Sequence, residues 1–248
     1  MRRQNRLLFG GIALPLLLLF HIQTASAAEV EINIPAGVNA STFSSFSEEI
    51  GLAISYLPMA PAEPLGILGW DLGIEISAVD IDEDLWGPFT TSSSKPPSFV
   101  PFPKIHLQKG LPLSFDIGIV YSEVPSSNIK MFGGEIKWAF ISGNLALPAI
   151  AIRGSYTTLS GVPGFDLQTF GADISISKGF ALLTPYAGYG QVWIDSKETI
   201  TTTQFNEKIS RSKPFVGVKA SILPIVNLVF EADFGPVPIY TARLNVGF

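Results

Sequence analysis

The sequence predicts an all-β fold: a transmembrane, antiparallel up-and-down β-barrel of about ten strands, with twelve as the alternative, behind a short N-terminal helix. Three observations predict it. Apolar and polar residues alternate with period 2 along ten segments from Leu65 onward, each 8–13 residues long, and a tilted strand needs about 9–11 residues to cross a bilayer. The links between segments alternate between short and long. The last segment ends the chain on an aromatic residue, Phe248.

In chain order, residues 1–27 read as a signal peptide. Arg2, Arg3 and Arg6 precede an apolar run from Leu7 to Phe20, and Ala25-Ser26-Ala27 has the small-x-small cleavage pattern. The run falls short of the roughly 20 residues of a spanning helix, and Pro15 interrupts it. Without the three leader arginines the formal charge moves from −5 to about −8, which argues against a nucleic-acid partner. There is no cysteine, so an exported chain of this size must be held by its packing or by a membrane.

Residues 28–64 form an N-terminal periplasmic or plug segment ahead of the barrel at 65–248. Ser45 and Glu48 have capping-box spacing, Phe46, Ile50, Ile54 and Leu57 recur at helical spacing, and Pro58 stops the run. A short helix that plugs the periplasmic mouth or lies at the membrane interface is the first reading. The rival is a strand, because Ile50, Leu52, Ile54 and Tyr56 also alternate. An additional strand at Val30–Ile34 would then make twelve, keeping the even count of bacterial barrels.

The ten strand segments are Ile67–Val79, Val100–Gln108, Leu113–Tyr121, Lys130–Ile141, Leu147–Thr157, Gln168–Ser177, Thr184–Asp195, Pro214–Ser221, Val226–Asp233 and Ile239–Phe248. In the first, Leu72, Ile74 and Ile76 face one way while Asp71, Glu75 and Ser77 face the other. The same alternation puts Lys104, His106, Asp116, Glu135, Lys137, Arg153, Asp173, Lys219, Glu231, Asp233 and Arg243 with them on the inner face. In the seventh segment Val192 and Ile194 are assigned to the lipid side against Gln191 and Asp195. A charged inner face would be a poor core for a soluble sandwich and suits the polar lumen of a membrane barrel.

The links after strands two, four, six and eight are short, whereas about 18 residues follow strand one, about 10 strand five and about 18 strand seven. Short periplasmic turns and longer outer loops are the rule for membrane barrels, so both termini are placed in the periplasm. Tyr121, Tyr156 and Tyr240 at the outer ends, with Trp138, Phe140 and Phe248 at the periplasmic ends, fit the aromatic girdles of the two interfaces. Tyr240, Leu244, Val246 and Phe248 alternate back from the C-terminus and read as an assembly signal. Outer-membrane lipid and the barrel-assembly machinery are therefore expected partners, and the bacterial outer membrane the expected location.

Three stretches carry a resemblance: Leu57-Pro58-Met59-Ala60-Pro61-Ala62-Glu63-Pro64-Leu65-Gly66, then Gln108-Lys109-Gly110-Leu111-Pro112, then Ser177-Lys178-Gly179-Phe180 through Pro185-Tyr186-Ala187-Gly188. They resemble an uncharacterised family of Gram-negative outer-membrane proteins over most of the mature chain. The resemblance implies the barrel and its location, and no activity.

His106 is the one histidine of the mature chain. Acid–base catalysis would need it poised with Ser or Asp partners at an accessible rim. Its place in the lumen, near the periplasmic end of strand two, makes it a structural, hydrogen-bonded residue; no enzyme activity and no cofactor are expected. Mixed charges in the lumen predict a cross-braced interior, because buried charges pair. Open aqueous channels come with about sixteen strands, which argues against a general porin. Asp80, Asp82, Glu83 and Asp84 read as a solvated acidic loop, since their spacing lacks the glycine and terminal glutamate of a calcium loop. Two functions stay open. One is a non-enzymatic barrel that binds or passes a small solute through a narrow charged lumen. The other is a structural or surface-interaction barrel that works through the loops at Asp80–Ser98 and Asp195–Lys208.

Overall fold

A computed structural model of the chain describes residues 31–91, 96–200 and 204–248. The signal peptide expected at residues 1–27 lies outside the described residues. Ten strands form one closed barrel: β1 (Trp70–Asp80), β2 (Phe99–Gly110), β3 (Phe115–Glu123), β4 (Lys130–Ile141), β5 (Ala149–Ser160), β6 (Phe165–Ser177), β7 (Leu183–Glu198), β8 (Asn206–Ser221), β9 (Val226–Phe234) and β10 (Pro238–Gly247). Each strand pairs antiparallel with its sequence neighbours, and β1 meets β10 from Asp71↔Gly247 to Val79↔Ile239 to close the ring. The strand alternative at residues 30–34 reduces, among the described residues, to a single bridge, Ile32↔Thr90, so the count is ten.

Alternation along the strands gives two unlike surfaces. Ile74, Ile119, Ile136 and Ile174 point outward and are about half exposed, and such residues ring the barrel. A water-soluble monomer rarely shows so continuous an apolar surface; it is the lipid-facing belt of a membrane barrel.

Two expectations about the strands are corrected. β8 begins eight residues ahead of Pro214, and β5, β6 and β7 also run further than expected at the same end. The links after β5 and β7 therefore shrink to residues 161–164 and 199–205, and residues 81–98 remain as the one long connection at that end. The chain rises there as paired strand rather than loop. The second correction concerns the facing of β7. Val192 and Ile194 are buried in the interior, and Trp193 takes the outward side. The interior at this height is apolar because it meets a helix, so an apolar residue there does not mark the lipid face.

That helix, α1 (Ala40–Ile54), lies inside the barrel against β5, β6, β7 and β8. Its N-cap is Asn39, whose side chain accepts from the Thr42 N–H at 2.9 Å. The expected capping box at Ser45 and Glu48 does not form, since Glu48 is drawn to Arg211 of β8 at 2.5 Å. Phe43, Phe46, Ile50 and Ile54 are all buried. Gly51 lets the helix approach the wall, because a Cβ there would stand 2.5 Å from Ile194 Cγ2.

The start of α1 sits at the long-loop end. Phe46 stacks on Phe89 at 3.8 Å and meets Trp86 edge-on at 5.3 Å, and Phe43 meets Phe165 edge-on at 5.8 Å. From Ser55 the chain descends the lumen and leaves at the opposite end, where Trp70 and Phe248 exchange backbone hydrogen bonds of 3.0 Å each. The ends of β1 and β10 thus lie together as expected, but residues 31–39 do not join them. They lie at the long-loop end, and α1 fills that half of the lumen instead of the opposite mouth.

Candidate functional site: the threaded lumen

Residues 55–65 cross the barrel with no helix or strand of their own. They are buried or part-buried, so their backbone polar groups need partners. The charged inner face supplies them in a descending series. Lys213 Nζ donates to Ser55 Oγ at 3.0 Å and to the Tyr56 carbonyl at 3.2 Å, and lies 3.3 Å from Asp233. The Tyr56 hydroxyl bonds His106 Nε2, whose Nδ1 faces Arg243 at 3.1 Å and Glu75 at 3.5 Å. Glu231 accepts from the Met59 N–H at 2.9 Å and from the Tyr186 hydroxyl at 2.7 Å. Arg243 donates to the Met59 carbonyl at 3.3 Å and pairs with Asp71. Lower still, Lys137 donates to the carbonyls of Pro61 and Glu63, both at 3.0 Å, and pairs with Asp116 at 2.9 Å. Asp116 accepts from the Leu65 N–H at 3.1 Å.

The other lumen charges brace the wall. Arg153 bridges Glu135 at 3.0 Å and Asp173 at 3.5 Å, Gln108 donates to Glu135 at 2.5 Å, and Lys104 donates to Ser77 at 2.9 Å and pairs with Glu75 at 3.7 Å. All thirteen lumen candidates read from the sequence face inward, with Asp173 and Lys219 part-buried and the rest buried. Two cavities lie between the threaded segment and the wall. One of about 20 Å³ is lined by Ser55, Asp173 and Lys213; one of about 90 Å³, near the exit, is lined by Glu63, Lys137 and Lys219.

Sequence reasoning missed Lys213, Tyr56 and Tyr186. Lys213 lies just ahead of the strand predicted from Pro214, although it shares the inward parity of Gly217 and Lys219. Tyr56 reads as an apolar position, and no spacing in the sequence pairs it with His106 or pairs Tyr186 with Glu231.

At the long-loop end the plug is tied to the connections. Asn128 accepts from the Ile32 N–H and donates to the Ile32 carbonyl, both at 2.8 Å. Glu49 of α1 accepts from the Trp86 indole N–H at 2.7 Å and from the Asp82 N–H at 3.1 Å. Burial pushes the Glu49 carboxyl above its ordinary range, and the two hydrogen bonds only partly offset this. The acidic run is solvated as expected, with Asp82 and Asp84 exposed and Asp80 and Glu83 part-buried, and it is also ordered. Asp82 caps a one-turn helix, α2 (Glu83–Trp86), accepting from the Asp84 and Leu85 N–H groups at 2.9 and 3.2 Å.

No family model matches the chain, and no curated protein matches it. Solved barrels do. The N-terminal β-barrel domain of Pseudomonas aeruginosa OprF aligns with a TM-score of 0.35 and 11% identity, covering 72% of this chain and 97% of that one. The KdgM porin gives 0.38 and 6%, covering 72% and 99%. Ail, the attachment invasion locus protein of Yersinia pestis, gives 0.32 and 10%, covering 75% and 99%. At such scores and identities no role transfers, and the barrel stands on its own strand ladder and apolar exterior. The three sequence stretches that carry the resemblance converge in space at the exit of the threaded segment. A Cβ on Gly110 would stand 1.9 Å from the Gly66 carbonyl, and one on Gly179 would stand 3.6 Å from the Glu63 carboxylate.

Proposed function

We propose that the protein is a structural or surface-interaction barrel of the outer membrane whose lumen is closed by its own chain and whose working surface is the long-loop end. One observation carries this reading: the segment from Ser55 to Leu65 is bonded to the wall at every level of the lumen, so the lumen charges hold the plug rather than line a path. The long β7–β8 pair and the 81–98 connection support an outward orientation of this end, because membrane barrels keep their short turns in the periplasm. Residues 31–39, the α2 turn and the described ends of β7 and β8 then face outward.

Passage of a small solute would require residues 40–65 to leave the lumen, breaking the whole series of bonds, and the narrow-conduit reading loses support accordingly. We assign no catalytic role. His106 is enclosed and engaged by Tyr56 and Arg243.

The test is a strain in which residues 88–97 are replaced by a short glycine-serine link. The trimmed barrel should assemble and yet reproduce the surface-binding or envelope-integrity defect of a full deletion. A trimmed strain that behaves as wild type while the full deletion shows the defect contradicts the proposal.

A further inference from the structure

The two ends of the barrel treat the apolar residues of their connections in opposite ways. At the long-loop end most of these residues turn inward: Trp86, Phe89, Val124, Ile129, Val162 and Val237 are buried, with Ile200 after β7 the exposed exception. At the other end they turn outward. Leu113, Leu145, Phe180, Leu182 and Leu223, spread over all four turns, are exposed, Leu145 completely, and Phe248 joins them. Leu113 and Ser114 are both held in left-handed backbone, each with φ 62°. Glycine or asparagine is the ordinary choice for such a turn, so a leucine there carries a steric cost. Facing water, such a ring would be an association surface.

The turn carbonyls are also provided for. Lys178 Nζ donates to the carbonyls of Asn144, Leu145 and Leu147 at 2.6, 2.7 and 3.3 Å. Lys109 Nζ donates to the carbonyls of Ile67 and Gly69, the second at 3.2 Å, and lies 4.9 Å over the Trp70 ring. In water these acceptors would need no such cover, whereas in lipid a backbone acceptor must be satisfied from within the protein. Lys and Trp are also the side chains that anchor proteins at the headgroup level.

We infer that the four turns at this end are a membrane-docking surface, with their apolar side chains immersed in the adjoining phospholipid leaflet, so that the lipid boundary passes beyond the strand ends. The occupant is lipid because the ring adjoins the lipid-facing belt: Trp138, Phe140 and Ile141 on the outside of β4 are exposed up to the turn that carries Leu145, with only Ser142, Gly143 and Asn144 between them. The inference rests on the membrane-barrel reading of the exterior.

The chain has no cysteine, which permits single spin labels at Leu145→Cys, Leu182→Cys and Leu223→Cys. Ile119→Cys in the belt and Lys208→Cys on the overhanging strand serve as references. The full chain is reconstituted in phosphatidylethanolamine–phosphatidylglycerol vesicles, and collision rates with oxygen and with a water-soluble nickel chelate are compared. Oxygen should dominate at the three turn sites as at Ile119→Cys, and the order should reverse at Lys208→Cys. Nickel dominating at the turn sites, with Ile119→Cys still in lipid, overturns the inference and leaves the barrel reading intact. Nickel dominating at Ile119→Cys overturns the barrel reading itself.

Discussion

Replacing Lys213 with methionine keeps most of the side-chain volume and deletes one ammonium. Two things follow in the lumen. Asp233, fully buried, loses its cation at 3.3 Å, and the plug loses the bonds to Ser55 and Tyr56 at 3.0 and 3.2 Å. Removing one partner of a buried ion pair costs about 3–5 kcal/mol. Hydrogen bonds to a charged group are worth about 1.5–3 kcal/mol each, but these effects overlap, so the expected loss stays near the upper part of that 3–5 range. Removing both charges, in Lys213→Met with Asp233→Leu, leaves no orphaned carboxylate and should bring the loss back to about 1–2 kcal/mol, because an apolar pair of similar volume is near neutral. The assay is reversible urea unfolding from detergent micelles, followed by tryptophan fluorescence. A single variant within about 1 kcal/mol of wild type, or a double variant as unstable as the single one, would refute the reasoning that Lys213 is a clamp whose removal strands Asp233.

Other consequences can be checked separately. Asn128→Ala removes both bonds to Ile32, at about 1 kcal/mol each, and should speed limited proteolysis within residues 31–39 without altering the barrel's resistance; unchanged cleavage would count against the clamp. Ala36→Cys should react with a membrane-impermeant maleimide in intact cells, whereas labelling only after the envelope is opened would reverse the proposed orientation. Glu49 has its carboxyl raised by burial, so its contribution is fullest below the ordinary carboxylate range and is lost as pH rises through the raised value. Thermal stability of wild type, referenced to Glu49→Gln at each pH, should therefore fall as pH rises from about 4 to 7; a rising difference contradicts the assignment.

Much of the barrel was legible because the period of a strand is rigid. Once Asp71, Glu75 and Arg243 were placed inside, the register forced their neighbours inside as well, and the structure pairs Glu75 with Arg243 across β1 and β10. The reasoning failed where inward did not mean polar. Val192 and Ile194 face α1, and a pattern that equates apolar with lipid cannot see a helix in the lumen. The helix itself was half legible: Phe46, Ile50 and Ile54 marked it, but Asn39 begins it, and Glu48 answers a distant arginine rather than its own backbone. Nothing local could show that the chain enters from the long-loop end, since that depends on the bonds from Asn128, Lys213, Glu231 and Lys137 to a segment with no periodicity of its own. The same bonds turn the list of lumen charges from a candidate solute path into a set of holding contacts.

Planar-bilayer recording of the full mature chain tests the central claim most directly. A lumen filled from Ala40 to Leu65 should give no steady ionic conductance, and a variant lacking residues 31–64 should open a small, persistent one. Steady conductance from the intact chain, equal to that of the deletion, would contradict the account.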